Sequence, residues 1–116
     1  MPAIARLRTY GMHAHRDHDR LVDCLRNREP FYMASMTGGP ITPDMLPSVG
    51  QLDRETAASI LRASRVGLVD YIVWSCETPI AYRLTGSCWQ VPDRRYSRTT
   101  TRHQHLIRMA VSTLGG

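Results

Sequence analysis

A run of hydroxyl, imidazole and guanidinium groups occupies residues 94–108, and these are the groups that bind anions in proteins. Threonine hydroxyls and the N–H groups of a helix's first turn can donate to a phosphate or carboxylate, while neighbouring arginines clamp it. We therefore predict an anion, nucleic-acid or partner-binding surface here. Its residues are Arg94, Arg95, Tyr96, Ser97, Arg98, Thr99, Thr100, Arg102, His103 and Arg108.

The same residues also suit a structural role. Serine and threonine commonly cap a helix, so Thr99, Thr100 or Thr101 can be the N-cap of a final helix. In that interpretation Tyr96 packs against the core and His103 bonds to a carbonyl. The sequence leaves both interpretations open.

A third interpretation is a metal-independent phosphodiester enzyme. Tyr96 or Ser97 would be the nucleophile and His103 the base. The acids near this segment are limited to Asp93 and Glu77, and metal-free chemistry needs several groups within hydrogen-bond reach of one another. Because spacing alone cannot show that, no catalytic residue is assigned.

A second group of titratable residues lies near the N-terminus, where His13, His15 and His18 precede Asp19. On an extended segment, residues two apart point the same way, so His13 and His15 could chelate zinc or nickel. A solvated connection into the first helix explains them equally, and we predict no metal and no cofactor.

Charge is distributed unevenly along the chain. Residues 1–82 hold nine arginines and nine acids, whereas residues 83–116 hold six arginines and the single acid Asp93, which accounts for the net charge of +5. All fifteen basic residues are arginine, a composition that a GC-rich genome produces by itself. The clustering is therefore more informative than the residue type, and it predicts a basic C-terminal surface.

Length and composition predict one domain spanning residues 1–116. Cys24, Cys76 and Cys88 are odd in number and lack C-x-x-C spacing, which is typical of a reducing compartment. Neither a signal peptide nor a membrane span is recognisable. We expect a cytoplasmic monomer or small homo-oligomer without membrane contact.

Hydrophobic patterns predict the elements that must position these residues. The first half contains a strand from Arg6 to Met12 and a helix capped by Asp17 that ends near Arg28. A strand from Phe31 to Met36 and a loop over residues 38–50 follow, then a helix capped by Asp53 and stopped by Gly67.

Residues 68–75 form the strongest predicted strand and should be central, because both of its faces are apolar. Strands over residues 79–84 and 88–91 complete an antiparallel meander. In the final helix, Leu106, Ile107, Ala110, Val111 and Leu114 should face the sheet, and Arg102, Gln104, His105, Arg108 and Ser112 should contribute to the outward face.

The predicted fold class is α+β: an antiparallel sheet of three to five strands with two or three helices packed on one side. Trp74, Tyr82 and Trp89 lie on consecutive strands of this sheet. They form either an aromatic platform for single-stranded nucleic acid or part of the core.

An ordered set of residues over positions 68–108 resembles a known small domain. It reads Tyr71-Ile-Val-Trp74, Thr78-Pro-Ile-Ala-Tyr82, Trp89-Gln-Val-Pro-Asp93, Tyr96-Ser-Arg-Thr-Thr100 and His103-Gln104. This pattern is similar to a domain of unknown function found in proteins of bacteriophages and plasmids. The resemblance implies a phage or mobile-element origin, and the lysine-free composition suits a GC-rich, actinobacterial host.

The resemblance brings no established activity, and Cys76 stands where the pattern has an aromatic residue. The expected function is a small phage-encoded accessory binding protein acting in the host cytoplasm. Its partner is either nucleic acid or a host protein that it inhibits or modulates. The segregated charge favours nucleic acid, while the absence of a recognised groove-reading motif favours a protein.

Overall fold

The computed structural model describes residues 5–7, 14–33, 35–86, 88–92 and 98–114. In these residues the chain forms six strands and three helices, which confirms the predicted α+β class. Their order is β1 (Ala5–Leu7), α1 (Ala14–Asn27), β2 (Phe31–Met33), β3 (Met36–Pro40), α2 (Arg54–Arg65), β4 (Val69–Ser75), β5 (Thr78–Leu84), β6 (Cys88–Gln90) and α3 (Arg98–Thr113).

The strands form one sheet in sequence order, from β1 at one edge to β6 at the other. Strands β2 to β6 pair antiparallel, as predicted for the meander, and β1 adds to the edge parallel to β2. Strand β4 lies inside the sheet, as predicted. Its Ile72 and Val73 are fully buried, because β-branched side chains fill both of its faces.

Helices cover both faces of the sheet, so the prediction that they pack on one side is wrong. Tyr71 and Val73 of β4 pack in a cluster with residues of α1 and α3. Ile72, between them, packs with Ile60 of α2. Successive side chains of a strand point to opposite faces, so a strand that is apolar on both sides needs a helix on each. We call these sides the α1/α3 face and the α2 face.

Helix α1 begins at Ala14, so the predicted N-cap at Asp17 is wrong. Residues 14–16 include no helix breaker, and the helix therefore extends upstream of Asp17. Its C-terminal end is a Schellman turn in which the Glu29 N–H donates to the Cys24 carbonyl at 2.9 Å. Arg28 occupies the left-handed position of this turn, with φ of 55°.

Helix α2 matches its predicted signals. The Asp53 carboxylate accepts the N–H of Thr56 at 3.0 Å, and the chain turns at Gly67 with φ of 79°. Such a carboxylate cap typically contributes about 1 kcal/mol.

The predicted single strand from Phe31 to Met36 is instead a hairpin of β2 and β3, and the predicted loop begins only after Pro40. Phe31 lies opposite Gly38 in this pair. A β-carbon at Gly38 would clash with the Phe31 ring. The glycine that suggested a loop is therefore what allows the strands to pair around this ring.

The turn between β4 and β5 is strained. Cys76 and Glu77 both have positive φ, 49° and 72°, where glycine or asparagine is preferred. The preceding loop holds this turn: the Ser48 hydroxyl donates to the Glu77 carbonyl, and the Gln51 N–H donates to the Thr78 hydroxyl, both at 2.9 Å. The turn is thus fixed from outside the hairpin.

Candidate functional site

Helix α3 carries the described part of the predicted surface, and it presents two different sides. The side toward the sheet is polar in its N-terminal half and apolar in its C-terminal half. Its buried residues are Thr100, His103, Gln104, Ile107, Ala110 and Val111, which recur at helical spacing. Helix α3 is therefore anchored by two chemically distinct halves.

The polar half forms a buried cluster with Ser75, the last residue of β4. The Ser75 hydroxyl lies 2.7 Å from His103 Nδ1 and 3.2 Å from the Thr100 hydroxyl. All three residues are less than 5% exposed. The cluster joins the first turns of α3 to the strand that ends at the strained turn, and we call it the Ser75 cluster.

Burial lowers the pKa of His103, and the nearby Arg102 guanidinium lowers it further. The imidazole is therefore neutral at pH 7, with one nitrogen facing the Ser75 hydroxyl. A general base must reach its substrate, whereas His103 is only 2% exposed. Its position in the structure does not suit the catalytic role considered above.

Gln104 is a second buried polar residue of α3, although the sequence pattern placed it outward. Its side-chain N–H donates to the Pro92 carbonyl at 3.3 Å. A buried amide needs such a partner. This bond connects α3 to the end of the meander, and Gln104 therefore supports the helix from inside.

The outward side of α3 is basic and hydroxyl-rich. Its exposed residues are Thr101, Arg102, His105, Arg108, Met109, Ser112 and Thr113. Helix α3 contains no aspartate or glutamate over residues 98–113. Arg102 and Arg108 are six residues apart, which is about 9 Å along a helix axis. We call this side the outward face of α3.

The residues predicted as a binding surface thus separate into four groups. Thr100 and His103 point into the protein, whereas Arg102 and Arg108 are exposed. Arg98 and Thr99 belong to the helical backbone, and their side chains are outside the description. The remaining four, Arg94, Arg95, Tyr96 and Ser97, lie outside the described residues.

The helix begins at Arg98, so Thr99, Thr100 and Thr101 are not its N-cap. Thr100 instead contributes its hydroxyl to the Ser75 cluster. His103 bonds to this serine rather than to a carbonyl. A polar residue in the first turns of a helix can thus bond to a buried group of the core instead of capping the helix.

The three aromatic residues that the sequence grouped together are separated by the fold. Trp89 packs edge-on against Tyr71 on the α1/α3 face, with ring centroids 5.7 Å apart. Trp74 and Tyr82 pack on the α2 face, and the Trp74 indole donates to the Ser48 carbonyl. The three rings therefore do not form one platform.

The histidine run does not have the extended geometry considered for a metal site. His15 and His18 lie within α1, while His13 is outside the described residues. In the part of the chain that is described, no group of three or more histidine, cysteine or acidic side chains could hold a metal ion. The three cysteines, all described, are not joined by disulfides. None of the described helices is long and apolar enough to cross a membrane.

Sequence reasoning missed Ser75. The available signal was its position in the strand. Residues two apart share a face, so Ser75 lies on the same face of β4 as the buried Tyr71 and Val73. A polar residue at such a position requires a buried partner. Its partners are 25 and 28 residues away in sequence, so local patterns could not identify them.

Comparison with known proteins finds a matching family. Residues 21–112, which include the second half of α1, strands β2 to β6, α2 and nearly all of α3, match a family of unknown function (DUF8033). No curated protein and no solved structure matches the chain. Because the match covers more than half of the sequence, the chain belongs to this family of unknown function, DUF8033.

Proposed function

We propose that the protein is a small phage-encoded accessory protein that binds nucleic acid inside a bacterial host, using the outward face of α3. The phage origin rests on the resemblance of residues 68–108 to domains of phages and plasmids. The host cytoplasm follows from the same origin and from the cysteine pattern.

One observation carries the binding proposal: the outward face of α3 presents Arg102, His105 and Arg108 together with hydroxyls, on a helix without acids. Phosphate backbones are bound chiefly by arginine and lysine, with hydroxyl and backbone N–H groups fixing the register. The helix dipole adds partial positive charge at the Arg98 end. Charge, donor type and exposure therefore all favour a phosphate-bearing partner.

Two acids of the described chain pair with arginines outside α3. Asp70 accepts from Arg28 and Arg83, and Asp23 accepts from Arg26. Of the six C-terminal arginines, Arg83 is therefore used inside the fold, where its side chain is 19% exposed. Arg102 and Arg108 are exposed on the outward face of α3, which makes them the residues to test.

A second candidate, binding of a host protein, is favoured by apolar residues at another part of the surface. Leu46, Val66 and Leu68 are 82%, 69% and 55% exposed. A β-carbon built at Gly67 would be 3.6 Å from the Pro43 side chain. The loop that carries Leu46 therefore adjoins the turn that carries Val66 and Leu68. Contiguous exposed apolar residues are typical of surfaces that bind another protein.

Salt dependence of DNA binding distinguishes the two candidates. For a protein that neutralises phosphates, log affinity falls with log salt with a slope of about −0.9 per phosphate on duplex DNA. We expect Arg102→Ala with Arg108→Ala to weaken binding to a short duplex and to reduce this slope by up to about two.

The matched control is Arg62→Ala with Arg65→Ala, which removes two exposed arginines from α2 on the other face. Its salt slope should stay within about 0.5 of the parent's. Equal loss in both double variants would show that net charge, rather than the outward face of α3, governs binding. No measurable binding to duplex or single-stranded DNA or RNA at low salt would contradict the proposal and leave the host-protein candidate.

A further inference from the structure

The Ser75 cluster joins polar side chains of α3 to strand β4, at the end of the helix where the described buried residues are polar. Toward the C-terminus, Ile107, Ala110 and Val111 pack into the core. Toward the N-terminus, the buried positions are Thr100, His103 and Gln104. Docking of this half therefore depends on hydrogen bonds rather than on apolar area.

Within the part of the chain that the structure describes, the cluster surrounds a neutral imidazole with hydroxyls, and no carboxylate acts on the ring. The hydroxyls are those of Ser75 and Thr100, and the charge of the Arg102 guanidinium disfavours protonation of His103. Asp19 and Asp23 of the adjacent α1 are exposed, and neither carboxylate acts on the ring. From β5, the buried neighbour of Ser75 is the uncharged Thr78.

The cluster also adjoins a strained part of the backbone. Ser75 directly precedes Cys76 and Glu77, the two residues with positive φ. Non-glycine residues persist in this conformation only when surrounding contacts hold them. Loss of the Ser75 contacts would remove one of those constraints together with the anchor of α3.

We propose that the Ser75 cluster is an acid-sensitive latch: protonation of His103 releases the N-terminal half of α3 from the sheet, while the C-terminal half and the α2 face stay packed. The latch operates whatever α3 binds. Release of this half of the helix would, however, move Arg102. Binding by the outward face of α3 would then depend on pH.

The direction of the effect follows from linkage. The pKa of His103 is lowered in the folded state, whereas an unfolded histidine titrates near about 6.5. The released state therefore binds more protons below this pH, so docking is fully favourable above it and weakens on acidification until the folded pKa is reached. One proton changes the docking equilibrium by at most about tenfold per pH unit.

Amide hydrogen exchange between pH 7.5 and 5, corrected for intrinsic rates, tests the latch. We expect protection of the amides from His103 to Leu106 to fall by up to about tenfold per pH unit below about 6.5. Amides of Ile60 and Ser64 in α2 should keep their protection. A parallel loss in α2 would indicate global unfolding and would overturn the proposal.

Substitutions separate His103 from other titrating groups. His103→Gln keeps a hydrogen-bonding side chain without a titratable ring, so the pH dependence in α3 should disappear. His105→Gln, the exposed histidine of the same helix, should retain the parent's dependence. An unchanged dependence in His103→Gln would overturn the latch.

Direct titration of the parent protein does not depend on whether the variants fold. The imidazole carbon-bound protons of His103, followed by NMR, should titrate below about 6.5, the value of an unfolded histidine. A titration midpoint of His103 at or above about 6.5 would also overturn the proposal.

Discussion

The two faces of the sheet are built from different chemistry. On the α2 face, Ile41, Ile60, Val69 and Ile72 form a small cluster that is wholly apolar in its buried members. On the α1/α3 face, a larger apolar cluster ends at Ser75, where hydroxyls and an imidazole replace aliphatic groups. The buried cluster of the α2 face is thus apolar, whereas the buried contacts of the α1/α3 face include directional bonds.

The two faces therefore differ in how their contacts respond to pH. Apolar contacts are insensitive to pH, whereas a buried neutral histidine makes its surroundings depend on protonation. Tyr71 on the same face behaves differently, because burial raises the pKa of its hydroxyl far above the usual range while that group donates to the Glu29 carbonyl at 2.6 Å. Within the polar contacts of this face, His103 is therefore the group that acidification can protonate, and burial lowers its pKa.

The largest expected effect concerns the apolar face. Ile72 is fully buried between β3 and β5. Ile72→Ala removes buried methyl groups and leaves a cavity, so we expect a loss of about 2–5 kcal/mol in the free energy of unfolding. Urea denaturation measures it, and the value should be the same at pH 7 and pH 5.5. A loss below about 1 kcal/mol would contradict the central position of β4.

Ser75→Ala tests the polar face, with a smaller expected loss of about 1–3 kcal/mol, because it leaves buried partners without a hydrogen bond. Thr101→Ala, on the exposed side of the same helix, is the matched control and should change stability by less than about 0.5 kcal/mol. If both variants unfold at the same urea concentration as the parent, the polar face is held by its apolar part alone.

A substitution in the strained turn should act in the opposite direction. Glu77 is exposed and has φ of 72°, a conformation that glycine adopts without steric cost. Glu77→Gly should therefore stabilise the protein by about 1 kcal/mol. This net gain is the backbone strain that is relieved, reduced by the conformational entropy that glycine adds to the unfolded chain. Thermal or urea unfolding checks the sign. A clear destabilisation would mean that the Glu77 side chain, rather than its backbone, holds the turn.

The sequence predicted those parts of the fold whose signals are local. The Asp53 cap and Gly67 define α2, and the β-branched run of residues 69–75 defines the central strand. What the sequence did not reveal depends on contacts between distant segments. The β2–β3 hairpin needs Phe31 to meet Gly38, and the inward turn of His103 and Gln104 needs Ser75 and Pro92.

The candidate site was predictable to a similar extent. Its charge and exposure follow from an acid-free helix with arginines at positions 102 and 108. The assignment of Thr100 and His103 to the binding surface could not be checked by local spacing, because that spacing suits either side of a helix. A histidine beside a buried strand end requires the tertiary structure before its role can be assigned.

The smallest stability effect is expected at the outward face of α3. Arg102→Ala with Arg108→Ala changes exposed side chains, so the free energy of unfolding should shift by less than about 1 kcal/mol. Urea denaturation at pH 7 measures it. A loss comparable to that of Ile72→Ala would show that these arginines support the fold, and binding defects of the variant could then not be assigned to a surface.

The most direct test of the central claim is an NMR titration of the isotope-labelled protein with a short DNA duplex at low salt. If the outward face of α3 binds nucleic acid, amide shifts should concentrate at Thr101, Arg102, His105 and Arg108. The α2 residues Arg62 and Arg65, and the apolar residues Leu46 and Leu68, should stay unchanged. Shifts confined to the apolar residues, or no shifts at all, would contradict the account.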